Sequence, residues 1–583
     1  MIATIGALVA ALAAPAPAPP RYEPRWESLD RRPIPPWFQK ARFGVFVCWG
    51  PYSVPAWAPR GQYAEWYGYQ IRQPGSPHAA HHEATYGKDF PYERFAERMT
   101  GAAFQPDAWA DLFARSGARY VVMAANYHDG FCLWPSPFAP GWNALDTGPR
   151  RDALGEAAEA VRRRGLRFGI YYSLYEWFHP LWLSDRRRYV AEHFHPQFRD
   201  VVTRYRPHVI FADGEWEADD RLWRSEELLA WLFNESPVRR EVVVNDRWGA
   251  SRGKHGSFFE SEYGGGEMAP AHPWQEDRGI GKSYGLNRNE TEADYDSVGE
   301  LVRMLSRCAG NGGNLLLCVG PEADGSIPAV MQDRLLGVGA WLQENGEAIY
   351  GTSASPFWPR RFAWGTCTAR RGRLYAHVWE RPGDWLELPG LRNRVRAARL
   401  LGARRGAALR LERGERGPQV ALPPARADGL PTIVALDLDG SPRVDRAVTP
   451  AADGTVTLRA AEALIAGGSP RFERRHPEGN IGFWNDPADT VSWRIRLSAP
   501  AVYEVTLLSA VDAGAGGSAF VVEAGEERLD SETVETGSWG RFEERVLGRL
   551  RLPAGELTLT VRPRTPPVWH SMGLARIDLR PAR

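Results

Sequence analysis

After its first residues this sequence has no long apolar run, and none approaches the roughly 20 apolar residues that a helix needs to cross a bilayer. Insertion into a membrane is therefore not expected. Cysteine is scarce. The five in 583 residues (Cys48, Cys132, Cys308, Cys318 and Cys367) are an odd number, too few for a disulfide framework. Most stand inside apolar patterns, where a thiol acts as a small buried hydrophobe, and no CxxC or His/Cys spacing points to a metal. An excess of one charge is also missing. Lys and Arg total 72 against 71 Asp and Glu, a formal net charge of +1. Nucleic acid would require a clustered basic excess, so a neutral substrate fits this balance better than a polyanion.

What is present is a large core and much tryptophan. Hydrophobic residues make up 43% of the chain, and its length exceeds the roughly 250–300 residues at which one core stops growing, so two or three domains are expected. The 24 tryptophans could stack on sugar rings, although most are expected to fill cores. The opening Met1-Ile-Ala-Thr-Ile-Gly-Ala-Leu-Val-Ala-Ala-Leu-Ala-Ala, followed by Pro-Ala-Pro repeats, reads as a signal peptide over residues 1–20. A secreted or periplasmic protein is the expectation.

Between Trp37 and Gly351 short apolar runs alternate with amphipathic helical stretches. The runs are Phe43–Trp49, Tyr120–Ala125, Leu166–Ser173, His208–Ala212, Glu241–Asn245, Ser257–Glu260 and Asn314–Val319, with Trp274–Ile280 as the candidate for an eighth. Helical patterns include Asp152–Arg164, Asp185–Tyr205, Leu222–Phe233, Tyr295–Cys308 and Met331–Asn345. Eight such β-then-α units predict a (β/α)8 TIM-like barrel over residues 21–355. Helical periodicity then stops. Short alternating segments predict a β-sandwich over 356–440 and a second all-β, jelly-roll-like unit over 441–583. In the last unit Trp484, Trp493, Trp539 and Trp569 are candidate sugar platforms or core residues, which would make it a carbohydrate-binding module or a scaffold.

Catalysis in such a barrel is built where the strands end. The runs close on Asn126-Tyr127-His128-Asp129, Tyr171-Tyr172-Ser173, Asp213-Gly-Glu215-Trp216, Asn245-Asp246-Arg247-Trp248 and Glu260-Ser-Glu262-Tyr263. Carboxylates, an arginine, a histidine and aromatics thus converge on one face. Paired carboxylates at a sugar-sized site fit glycoside hydrolysis, in which one attacks or activates water and the other protonates the leaving oxygen. Arg247 and His128 are expected to hold Asp213 ionised. Glu262, beside Tyr263, Phe258 and Phe259, is expected to stay protonated. The pattern alone leaves Glu260 and Glu262 both open as the acid.

These motifs resemble family 29 α-L-fucosidases. The segment from Trp37 to Trp57, Ala64-Glu65-Trp66-Tyr67, His128-Asp-Gly-Phe-Cys-Leu-Trp134, Phe211-Ala-Asp-Gly-Glu-Trp216, Val243-Val-Asn-Asp-Arg-Trp-Gly249, Gly281-Lys-Ser-Tyr-Gly285 and Gly312-Gly-Asn-Leu-Leu-Leu317 carry the likeness in order. The resemblance implies double displacement with net retention and no metal or cofactor. It implies Asp213 as nucleophile and Glu262 as acid/base, with Glu260 next in line. Sugar-binding positions carried over are Glu65, Trp66, His128, Tyr172, Arg247 and Tyr284, with Phe211 where the family usually has Trp. Cys48 and Tyr127 stand where the family usually has sugar-binding histidines, and Gln275 stands where it often has Glu, a change for which Glu276 could compensate. A thiol is a weak donor and a tyrosine places its hydroxyl elsewhere, so the sugar that fits is open to change. The implied partner is a fucosylated or related oligosaccharide or polysaccharide. Alternatives are another α-L-pyranoside such as an α-L-glucoside, or a sugar-binding protein without catalysis.

Overall fold

The computed structural model describes residues 21–402, 406–414, 416–564 and 568–582, and the signal peptide expected over 1–20 lies outside them. Eight parallel strands form one sheet: β1 (Phe43–Val47), β2 (Tyr120–Ala124), β3 (Arg167–Ser173), β4 (Val209–Asp213), β5 (Val243–Val244), β6 (Phe259–Glu262), β7 (Trp274–Gly279) and β8 (Asn314–Val319). Their order is β5-β4-β3-β2-β1-β8-β7-β6. The outer strands β5 and β6 meet where the N–H groups of Ser257 (2.8 Å) and Phe258 (3.2 Å) donate to Val244 O, so the sheet curls back on itself as a TIM-like barrel. The eighth strand is the Trp274 segment, as its position in the alternation predicts.

Strand alternation decides which side chains enter the barrel. At the base, Gly44 on β1 leaves room for the Tyr120 ring, which lies 2.5 Å from where a Cβ would stand. The Tyr120 hydroxyl crosses to Gln275 Oε1 at 2.6 Å. One layer up, Phe46, Tyr171 and Phe211 pack ring against ring at 5.5–5.8 Å. Strand β5 is only two residues long, and the Asn245 side chain continues its ladder. Its Oδ1 accepts the Ala212 N–H at 2.9 Å, and its Nδ2 donates to Ala212 O at 2.8 Å and to Glu260 Oε2 at 3.0 Å. Buried amides need such partners, since leaving one unsatisfied costs about 1–3 kcal/mol.

Two expected helices are interrupted. Asp185–Tyr205 is broken into Arg186–Arg188, a π-helical turn Tyr189–Phe194 and His195–Tyr205. Pro196 lacks the N–H that a continuous α-helix needs, and the wider turn absorbs the defect. Leu222–Phe233 is split at Arg224, whose φ of 50° is left-handed, into Asp220–Trp223 and Ser225–Asn234.

Beyond the barrel the described strands are antiparallel and form four sheets, of four and three strands between Gly365 and Leu438 and of six and five strands between Val456 and Pro581. Three hydrophobic clusters follow this division, the barrel cluster also taking in Tyr375, Ile433 and Ala435 of the middle unit. In the last unit Trp484, Trp493 and Trp569 are 0%, 2% and 7% exposed, and each indole N–H donates to a backbone carbonyl. They are core residues, so their faces are closed to a sugar; Trp539 is half-buried. All five cysteines are buried and unpaired. Among the described residues no helix is long and apolar enough to cross a membrane.

Candidate active site

The mouth of the barrel is organised by one guanidinium. Arg247, just beyond β5, donates from Nη1 to Asp213 Oδ1 (2.5 Å) and from Nη2 to Glu262 Oε2 (2.9 Å). Its Nε lies 2.7 Å from Glu260 Oε2 as an ion pair, although that N–H does not point at the oxygen. The Arg247 side chain is 4% exposed, so these charges interact with little solvent between them. A single planar fork joins Asp213 to Glu262. Glu260 and Glu262 are two residues apart and share a face of β6, with Glu260 deeper at 1% side-chain exposure and Glu262 at 32%.

Asp213 ends β4 and is held on every side. The Tyr171 hydroxyl donates to its Oδ2 at 2.6 Å, the Gly214 N–H donates to its Oδ1 at 2.8 Å, and His128 Nε2 lies 3.5 Å from Oδ2. Burial pushes this carboxyl up, but Arg247, His128 and Tyr171 outweigh it and hold the group well below the usual carboxylate range. Ser173 orients His128: its hydroxyl donates to Tyr175 O at 2.5 Å and so accepts from His128 Nδ1 at 2.6 Å.

The other expected residues gather around this group with one exception. Glu65 is fully buried; its Oε2 accepts from Ser283 Oγ (3.0 Å) and the Gly285 N–H (2.9 Å), while Oε1 has no protein donor. Burial pushes it up to about 7. Trp66 lies 5.2–5.9 Å, ring to ring, from His128, Trp177 and Trp216. Tyr127 stacks on Tyr171 at 5.5 Å, and Cys48 Sγ is 3.2 Å from the hydroxyl of Tyr52, whose ring meets Tyr127 edge-on. Tyr284 donates to Asp277 Oδ2 at 2.7 Å and packs against Phe46 and Tyr63. The loop holding Tyr63 reaches across the mouth, and its hydroxyl donates to Glu262 Oε1 at 3.0 Å.

The exception is Tyr172. Its hydroxyl donates to Gln197 Oε1 at 2.6 Å, and its ring lies among Phe194 and Phe198 on the helix side of the sheet. Its neighbour Tyr171 faces inward. The β3–β4 register separates the two, because Tyr171 has the same parity as Ser173, which stands opposite Asp213. A second correction concerns Glu262. Phe258 packs on Phe38 at 4.5 Å and Phe259 stacks on His272 at 4.0 Å, so neither surrounds this carboxyl. Its contacts are Arg247 and Tyr63. Glu276 does not compensate for Gln275 either. It accepts from Ser261 Oγ and the N–H groups of Gly265 and Gly266, on the opposite face of β7 from Gln275 and Asp277.

The likeness to known proteins is strongest over the barrel. The model of the α-L-fucosidase family matches residues 9–347. The chain belongs to the α-L-fucosidase family. It is a glycosidase. Tissue α-L-fucosidase of Rattus norvegicus is 44% identical over 341 residues, covering 57% of this chain and 73% of that protein. α-L-Fucosidase of Dictyostelium discoideum is 39% identical over 418 residues, covering 69% and 88%. Among solved structures, Thermotoga maritima α-fucosidase in complex with a mechanism-based inhibitor is 34% identical with a TM-score of 0.61, covering 72% of this chain and 100% of that one. α-L-Fucosidase from Vibrio sp. strain EJY3 has a TM-score of 0.67 over 94% of this chain and 97% of its own; at 23% identity the likeness is one of fold.

The buried carboxyls give folding stability a defined pH dependence. Burial pushes Glu65, Glu215 and Asp277 up to about 7 and Asp129 to about 6, from ordinary values of 4.5 for Glu and 3.8 for Asp. Between those limits the folded chain holds protons that the unfolded chain has released, so stability falls as pH rises from about 4 through about 7. Asp213 acts oppositely, adding stability above its ordinary value that is lost as pH falls below it. The melting temperature is expected to be higher at pH 5 than at pH 8; a scan showing the reverse would contradict these protonation states.

Proposed function

We propose that the protein is an exo-acting, retaining α-L-fucosidase with Asp213 as nucleophile and Glu262 as acid/base. The observation that carries the reading is the single Arg247 fork holding an ionised, inward carboxylate beside a second carboxyl at the solvent-facing rim. Such a pair suits double displacement, for which the carboxyls stand only about 5–5.5 Å apart. Asp213 attacks the anomeric carbon while Glu262 gives its proton to the departing glycosidic oxygen. In the second step Glu262 takes a proton from water, which attacks the same carbon and releases the sugar and Asp213. Glu262 rests against Arg247 and Tyr63 with a third of its side chain exposed, so solvent and the leaving group both reach it at the rim. Glu65, Trp66, Tyr127, His128, Phe211, Tyr284 and Cys48 form the proposed sugar pocket, in which Tyr171 replaces Tyr172. We further propose that the structural units change near residues 355 and 440.

Replacing Asp213 by Ala should lower kcat on an activated aryl α-L-fucoside on the order of 10⁴-fold, and azide should restore part of the rate as the glycosyl azide. Undiminished turnover would remove Asp213 from its role.

A second reading, the same mechanism on a different α-L-pyranoside, is favoured by Cys48 and Tyr127. The weak thiol donor already faces the Tyr52 hydroxyl, and the Tyr127 ring is stacked on Tyr171. A panel of aryl α-L-glycosides decides between them: the fucoside is expected to be hydrolysed fastest, and a faster α-L-glucoside would establish altered specificity.

A further inference from the structure

The loop after β3 and the π-helical turn Tyr189–Phe194 bring a glutamate and two histidines together outside the sugar pocket. Glu176, His179 and His193 each offer one ligand atom, and the three atoms lie within 4.8 Å of one another. Glu176 and His193 are buried, and His179 is half-buried. His193 Nε2 stands 2.6 Å from Glu176 Oε1. The two imidazole rings are 4.1 Å apart, and the Tyr189 ring lies 5.1–5.2 Å from both. Gly130 passes so close that a Cβ there would lie 2.5 Å from Glu176 Oε2, which fixes the carboxyl from the other side. Sequence spacing conceals the cluster, because two of its members come from a loop and the third from a helical turn further along the chain.

The charge here is unlike that of the catalytic group. Among the described residues no Lys or Arg forms an ion pair with Glu176, and His193 is its one basic partner. A buried carboxylate without a guanidinium or ammonium keeps much of its desolvation cost. Two imidazole nitrogens and one carboxylate oxygen are also a ligand set that zinc takes, with water in the fourth position. The wide helical turn that carries His193 is of a kind found often at functional sites.

We propose that Glu176, His179 and His193 form a binding site for one zinc ion. Bonds of about 2.0–2.2 Å at tetrahedral angles put ligand atoms about 3.4 Å apart. The shortest spacing therefore opens, and the widest closes, by on the order of 1 Å, within reach of side-chain rotation. The proton between His193 and Glu176 leaves the ligating nitrogen for the other ring nitrogen or for solvent, because a ligand presents its lone pair. His179 Nδ1 now accepts the Leu181 N–H at 3.2 Å, capping the short helix Pro180–Ser184, and gives up that long bond as the ring turns to the ion. The ion ties the loop after β3 to the helical turn. Trp177, between two of the ligands, donates its backbone N–H to His128 O at 2.7 Å and packs on Trp66 and His128 at 5.2 and 5.4 Å, so the site braces the pocket wall from behind. None of the three ligands takes part in the proposed double displacement, and the zinc site stands or falls without it.

The test uses the full chain, stripped by a chelator, and two variants. Glu176→Gln keeps the shape of the side chain and an acceptor for His193, and His179→Asn keeps a helix cap. Thermal unfolding without metal checks that each variant folds, and one that does not leaves the other to decide. Titration calorimetry with zinc chloride at neutral pH, and metal analysis after gel filtration, should find about one more zinc per chain in the parent than in either variant. Zinc should raise the melting temperature of the parent alone. Histidines elsewhere add weak sites to all three proteins alike, so the difference carries the result. No uptake by the parent, or uptake by any folded variant equal to the parent's, overturns the site.

Discussion

The site depends on how one buried guanidinium is shared. Arg247 touches Asp213, Glu260 and Glu262, and each contact constrains the others. A buried cation with several anionic partners stays charged, and here the surrounding carboxylates raise Arg247 well above its ordinary value against the opposing effect of burial. Burial raises its deepest partner, Glu260, whereas Arg247, His128 and Tyr171 hold Asp213 at the end of β4 well below the usual carboxylate range, so position alone separates two carboxyls of similar intrinsic acidity.

That arrangement can be built because the barrel delivers side chains by parity. Phe211 and Asp213 leave β4 on the inner face, Glu260 and Glu262 leave β6, and Asp277 leaves β7, all toward the same axis. The Asn245 amide replaces the missing residues of β5 and ties β4 to Glu260, so the shortest strand is stitched where Arg247 departs. Aromatic rings close the space beneath. Phe46 contacts Tyr171, Phe211 and Tyr284.

Much of this was legible in the amino-acid order. Apolar runs ending in polar clusters located the strand ends, and Asp213, Arg247 and His128 were legible because each stands just past such a run. What escaped were choices between neighbours. Tyr171 and Tyr172 differ only in parity, which a run apolar on both faces conceals, and the register with β4 was needed to separate them. The aromatics near Glu262 in sequence do not surround it: Phe259 has the opposite parity and stacks on His272, and Phe258 shares its parity but lies four residues back along the chain, packed on Phe38. The Trp residues of the last unit pose the same difficulty. Composition suits both a sugar platform and a core, and only the fold shows Trp484 and Trp569 packed on each other at 5.7 Å.

The departures at Cys48 and Tyr127 lie on one side of the pocket, whereas the Arg247 frame and its carboxyls lie on the other. The two sides meet through Tyr171, whose ring stacks on Tyr127 and whose hydroxyl donates to Asp213. The most direct measurement of the central claim is covalent. Incubation with a 2-deoxy-2-fluoro-α-L-fucosyl fluoride, followed by peptide mass mapping, should find the sugar attached to Asp213. Attachment to Glu260 or Glu262, or no covalent adduct despite turnover of α-L-fucosides, would contradict the account.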